Sequence, residues 1–179
     1  MSGKAIILYS KVITLLVMFS IVGCKTEPIS FSNVPEIELE SVELIKNIKN
    51  KDSVIKISFY YQDGDGDIGL TSADTNAPFN FRSPYFHNLP VTYLVENSNG
   101  EYEELINPAT NEPYGNQHER IPYLTPTGKF KGISGTMDVY LDANPALVKP
   151  KKIKLELKLM DRELNVSNTI TSEVIELTH

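Results

Sequence analysis

The sequence predicts an all-β domain, and three observations predict it. Apolar residues recur with period two along most of the chain from Glu36 onward, as half-buried strands require. No stretch carries a convincing amphipathic helical stripe. Asn99-Gly100 stands between two alternating segments, a pairing that favours the tight turn of a hairpin.

The strands can be justified in order. Glu36–Lys46 begins with Ile37 and Leu39 but continues with Val42 and Leu44, a change of phase that a β-bulge or a change of sheet would explain. Segment 53–62 alternates Ile55, Ile57 and Phe59 with Lys56 and Ser58. Segments 90–97 and 101–106 flank Asn99-Gly100, the first with Val91, Tyr93 and Val95 on one face. Segment 129–141 presents Met137, Val139 and Leu141. Segment 151–160 presents Ile153, Leu155, Leu157 and Leu159 against Lys154, Glu156 and Lys158. Segment 169–178 breaks phase again at Val174 and Ile175. About seven short antiparallel strands in a domain of this size favour an immunoglobulin-like or fibronectin-type β-sandwich, with a closed barrel as the alternative. The connections 71–90 and 107–128 are long, as in loops that bind something or move.

The first twenty-four residues read as an address. Lys4 and Lys11 precede an apolar run from Val12 to Val22, and Gly23 stands immediately before Cys24, the single cysteine. A charged start, a short apolar core and a small residue before the cut describe a secretory signal, too short for a comfortable membrane span. An ordinary signal peptide, or an uncleaved anchor helix with an incidental cysteine, is the plain alternative. Removing residues 1–23 takes away two lysines and no acids, so the 17 basic residues become 15 against 23 acidic ones and the net charge moves from −6 to −8. Such a surface repels phosphate backbones and argues against a nucleic-acid partner. With a single cysteine no disulfide can form within the chain, and the domain must rely on its core or on a metal. Residues 24–35, with Pro28 and Pro35, read as a tether leading to a domain over 36–179.

The chemistry-bearing stretch is Asp63-Gly64-Asp65-Gly66-Asp67-Ile68-Gly69-Leu70. Three carboxylates at alternate positions offer hard oxygen ligands, and the glycines permit the chain to curl around them. Without a cation these charges repel; Ca²⁺ neutralises them, and Mg²⁺ fits less well because it keeps its waters. An EF-hand is excluded, since Ile68 stands where its glycine should and Asp74 where its glutamate should. The alternative is a set of Asp-Gly tight turns. Between the last two strands lies Asp161-Arg162-Glu163-Leu164-Asn165-Val166-Ser167-Asn168. In a sandwich this loop shares an end with the Asp run, so Asp161 or Asn165 could complete the coordination sphere, or Arg162 could pair with the acidic loop. A self-capped polar turn is the alternative.

Phe81, Tyr85, Phe86 and Tyr114 on the long loops are candidate stacking surfaces for a glycan or an envelope protein; folding back over the end of the sandwich is the other reading. His87 and His118 lack zinc spacing. No nucleophile elbow, phosphate-binding loop or zincin helix occurs, and Glu103 and Glu104, adjacent on a strand, point to opposite faces.

Together, Ile21-Val22-Gly23-Cys24, Asp63–Leu70, Arg120-Ile121-Pro122-Tyr123-Leu124-Thr125-Pro126 and Asp161–Asn168 resemble a group of lipoproteins from Bacteroidota carrying immunoglobulin-like modules. The resemblance implies acylation at Cys24, an outer-membrane or other envelope location, a β-sandwich and calcium; it implies no activity. Lys25-Thr26-Glu27 loosely resembles the signal that sends such lipoproteins to the cell surface, with Thr26 interrupting it. Asp52-Ser53-Val54 is similar to their O-glycosylation site. The expectation is a lipid-anchored envelope binding or structural module, stabilised by calcium and without catalysis. A carbohydrate-binding accessory of polysaccharide uptake is the first alternative, and a hydrolase with a loop-assembled site is the second.

Overall fold

The computed structural model describes residues 30–113, 118–128, 131–144 and 149–179; Cys24 and Tyr114 lie outside them. The described chain is all-β and antiparallel. Its strands are β1 (Glu36–Lys46), β2 (Asp52–Asp63), β3 (Val91–Glu96), β4 (Tyr102–Glu104), β5 (Ile106–Asn107), β6 (Glu112–Pro113), β7 (Ile133–Asp142), β8 (Lys152–Leu157), β9 (Ile170–Thr171) and β10 (Ile175–Glu176).

One sheet runs β1-β2-β7, and the other runs β10-β8-β3-β4 with β9 also on β8. With β9 and β10 taken as one interrupted last strand, this is the strand order of a fibronectin-type sandwich, and the sheets do not close into a barrel. The alternating residues supply the core. Ile55, Ile57, Phe59, Val139 and Leu141 from the first sheet meet Val91, Tyr93, Ile153, Leu155 and Leu157 from the second. Side chains facing inward from two sheets about 10 Å apart leave no room for water, and this burial is the main stabilising term.

Both phase breaks have a local cause. Leu39 pairs with Phe59 but Ser41 pairs with Ser58, so Glu40 is the extra residue of a β-bulge, and Val42 and Leu44 return to the inner face. The last strand is interrupted at Ser172. There the Leu155 N–H donates to Ser172 Oγ at 3.0 Å, while the Ser172 N–H donates to the Leu155 carbonyl at 2.9 Å. Ser167 repeats the arrangement with Leu159, its Oγ accepting at 2.9 Å and its N–H donating at 2.9 Å. Each serine side chain replaces a missing backbone acceptor, so the edge of β8 stays satisfied across an irregular partner.

The predicted segment 101–106 divides at Leu105. Its N–H donates to the Tyr93 carbonyl at 2.7 Å and its side chain is buried, after which the chain leaves β3 to form the small β5–β6 hairpin inside the long 107–128 connection.

The end of the sandwich that carries the Asp run is closed by several crossings. Asn168 bonds both the N–H and the carbonyl of Ile37, at 2.9 and 2.8 Å, joining the last loop to β1. The Ser32 carbonyl accepts the Gly64 N–H at 2.7 Å, and Pro35 is buried. The final residues of the segment read as a tether are therefore attached to the domain.

Candidate metal centre

Asp63 is the last residue of β2, and the chain curls immediately beyond it. Gly66 has φ of 64° and Gly69 has φ of 100°, left-handed conformations that glycine adopts without strain. Side chains there would also collide with backbone, Gly66 with the Lys131 carbonyl and Gly69 with the Pro122 carbonyl. The glycines thus serve both the curl and the close approach of the chain around it.

The curl gathers ligand oxygens of Asp63, Asp65 and Asp67 within 4.8 Å of one another. Asp63 is fully buried, at 0% exposure. Its Oδ2 accepts the Asp67 N–H at 3.0 Å, and Oδ2 of Asp67 accepts the Glu163 N–H at 3.1 Å. The Oδ1 atoms of Asp63, Asp65 and Asp67 are all buried and have no hydrogen-bond partner among the described residues. A buried carboxylate oxygen without a donor is costly, and three side by side are costlier because the charges also repel.

Electrostatics express this cost. Burial, then the charge of Asp65, pushes Asp63 up to about 7, although the bond from the Asp67 backbone works the other way. Burial, then Asp161 and Asp65, pushes Asp67 up to about 6. Asp161 is raised as well, by burial first, against the opposing bonds from Asn165. The cluster can hold a metal ion: its donors are all carboxylate oxygens, the set that suits a hard divalent cation.

The loop before the last strands does meet the Asp run. Ile68 and Asp161 form an antiparallel bridge. Asn165 donates to Asp161 twice at 2.8 Å, from its backbone to Oδ1 and from its side chain to Oδ2. Both Asp161 oxygens are thus engaged by Asn165 itself.

Arg162 does not pair with the Asp63–Asp67 cluster. It forms a bidentate bond with Asp74, Nη1 to Oδ2 at 2.7 Å and Nη2 to Oδ1 at 2.9 Å, with the rings of Phe79 and Tyr123 stacked 5.7 and 5.4 Å away. Thr71 adds its N–H and hydroxyl to the same carboxylate, at 2.7 and 2.8 Å. Arg120 reaches the Asp74 carbonyl at 2.7 Å and the Phe86 carbonyl at 2.5 Å. Two arginines therefore fasten the 71–90 loop at Asp74, a residue the sequence brought forward only as a failed EF-hand ligand.

The aromatic candidates divide. Phe86 lies under Arg120, 4.9 Å from ring centre to guanidinium carbon, and packs edge-on to Phe81 at 5.4 Å. Phe81 is 69% exposed, and Tyr85 is half-buried. His118 accepts the Val91 N–H at 2.9 Å and lies beside His87, so it serves the fold.

Compared with known proteins, the chain matches no family model, no curated protein and no solved structure. The class that fold and site define is an antiparallel β-sandwich with an acidic cluster, able to hold a metal ion, at the end of its second strand.

Proposed function

We propose that this is a lipid-anchored, extracytoplasmic module of the cell envelope that binds or supports a partner rather than catalysing a reaction. A calcium ion held by Asp63, Asp65 and Asp67 is its structural cofactor. The observation that carries the calcium reading is the convergence of three aspartates, each with a buried Oδ1 that has no donor among the described residues. An all-oxygen, carboxylate-rich set suits calcium, which takes six to eight oxygens in flexible geometry. The envelope reading rests on Lys4, Lys11, the apolar run and Gly23-Cys24.

The ion would do its work through the chain's existing contacts. Neutralising Asp63 and Asp67 removes the repulsion at the end of β2. Asp67 also receives the Glu163 N–H, and Gly64 donates to Ser32. Fixing the curl would therefore fix the last loop and the N-terminal arm together.

Thermal unfolding tests the reading. A cation bound only by the folded state stabilises it by about 2.7 kcal/mol at a hundredfold excess over the dissociation constant. Extracellular calcium modules often bind at roughly 10⁻⁴–10⁻³ M. Millimolar calcium should raise the melting temperature, magnesium should raise it much less, and chelator should lower it. Equal melting in calcium and chelator would falsify the cation reading. Mass spectrometry of the mature N-terminus tests the anchor, since an unmodified Cys24 refutes it.

Glycan binding is the second reading, favoured by the exposed Phe81 beside Phe86. Retardation of the protein in polysaccharide-containing gels, lost in Phe81→Ala, would establish it.

A further inference from the structure

We propose that Thr125 completes the cation site, its hydroxyl supplying a fourth protein oxygen beside Asp63, Asp65 and Asp67; this rests on the calcium reading above. The segment 121–126 lies across the Asp loop. The Leu70 N–H donates to the Ile121 carbonyl at 2.9 Å, and the Leu124 N–H donates to the Ile68 carbonyl at 3.0 Å. Two residues further on, Pro126 Cδ stands 3.1 Å from where a Cβ of Gly66 would be. Leu124 is therefore fastened to the residue after Asp67, and Pro126 rests on the residue before it. Thr125 lies between these two contacts in the chain, on the segment that crosses the loop at Asp67.

Its Oγ1 is buried and has no hydrogen-bond partner among the described residues. That is unusual for a threonine hydroxyl, which can rotate to donate or accept and normally finds a carbonyl nearby. Among the described residues five buried side-chain atoms are in this condition: Oδ1 of Asp52, Asp63, Asp65 and Asp67, and Oγ1 of Thr125. Asp52 belongs to the other end of β2 and has Lys46 Nζ at 4.0 Å. The other four belong to one loop and the segment that crosses it. A common cation accounts for all four, whereas four independent packing faults at one place would each carry the cost of an unsatisfied buried group.

Charge selects Thr125 over Asp161 as the additional ligand. Three carboxylates already exceed the charge of a divalent ion by one, and a fourth would leave an excess of two in a buried site. A hydroxyl adds an oxygen without adding charge. Both Asp161 oxygens are, besides, taken by Asn165.

The test uses the mature chain, with calcium titrated calorimetrically into wild type, Thr125→Val and Thr125→Ser. Terbium luminescence lifetimes in light and heavy water then count the waters left on the bound ion. Thr125→Val should bind calcium about tenfold or more weakly and leave about one additional water on terbium, because a ligand position passes from protein to solvent. Thr125→Ser keeps the hydroxyl and should stay close to wild type. In chelator, Thr125→Val should melt no lower than wild type, since the buried hydroxyl it removes was unpaired. Thr125→Ala is read in parallel in case the valine methyl is not accommodated. Wild type that binds no calcium would overturn the calcium reading itself. Wild type that binds, with unchanged affinity and hydration in both hydroxyl-free variants, would overturn the role of Thr125 and leave that reading standing.

Discussion

Two acidic patches meet at one end of this sandwich and are handled in opposite ways. Asp74 is given a guanidinium: Arg162 binds both its oxygens, Thr71 contributes two more donors, and its carboxyl is held below the ordinary carboxylate range, chiefly by Arg162. Among the described residues no cationic side chain pairs with Asp63, Asp65 or Asp67, and Asp63 and Asp67 are pushed up instead. Arg162 itself bridges to Asp74 from the loop whose Glu163 N–H touches Asp67, so the cation stands near the cluster and is spent elsewhere. A charge-matched pair is complete within the chain. An acidic cluster without its cation must take a proton, tolerate the repulsion, or bind an ion from solution.

The largest expected effect follows from that difference and is read as pH dependence in chelator. The unfolded chain titrates these aspartates near the reference value of about 3.9. Asp63 and Asp67 are raised in the folded state, to about 7 and about 6. The stability they contribute is thus fully present below about pH 4 and is lost as pH rises through 6 to 7. Between pH 5 and pH 8 the cation-free protein should lose on the order of 2–4 kcal/mol. Asp74 has the opposite sign: its contribution is lost only under strong acid, so it does not move in this window. In saturating calcium the trend should flatten or reverse, because protons now compete with the ion. Cation-free protein that melts at the same temperature, or higher, at pH 8 would erase the distinction between the patches.

Arg162→Ala comes next. It strips Asp74 of both guanidinium bonds and removes the cation between Phe79 and Tyr123, at a cost of about 1.5–3 kcal/mol for charged hydrogen bonds. That corresponds to a fall of roughly 5–10 °C in melting temperature for a domain of this size. The fall should be equal in calcium and in chelator. A loss seen only in calcium would make the Arg162–Asp74 clamp part of the cation site instead of a separate fastening.

Local patterns carried much of this into the sequence. The alternation of Ile153, Leu155, Leu157 and Leu159 gave the inner face of β8 because strand sides repeat every two residues, and the phase change after Leu39 marked the bulge at Glu40. The Asp run was visible because its ligands are neighbours in the chain, and connectivity placed Asp161 opposite it. What was hidden depends on long-range pairing. Arg162 and Asp74 are 88 positions apart, and nothing in either residue's neighbourhood names the other. Thr125 has no residue-type signal at all. It becomes informative only when its hydroxyl is buried without a partner on a segment crossing the Asp loop. The attachment of Ser32 to Gly64 was likewise concealed in a stretch without periodicity.

The smallest expected effect is also the sharpest in sign. Asp63→Asn keeps an oxygen for the Asp67 N–H that Oδ2 now accepts and replaces Oδ1 by an amide. That amide can donate to the Oδ1 atoms of Asp65 and Asp67, which have no partner among the described residues, and it removes one of three converging negative charges. In chelator at pH 8 the variant should therefore be more stable than wild type, by about 1–2 kcal/mol, because a buried charge has become a satisfied polar group. In millimolar calcium the order should invert, since the site has lost a charged ligand and wild type alone gains the binding energy. Asp74→Asn is the matching control: it weakens the bidentate pair with Arg162 and should lose stability in both buffers. The measurement is four melting curves for each variant, with and without calcium at pH 5 and pH 8. If Asp63→Asn destabilises equally under all four conditions, the Asp63 carboxylate is an ordinary structural acceptor, and the two patches do not differ in kind.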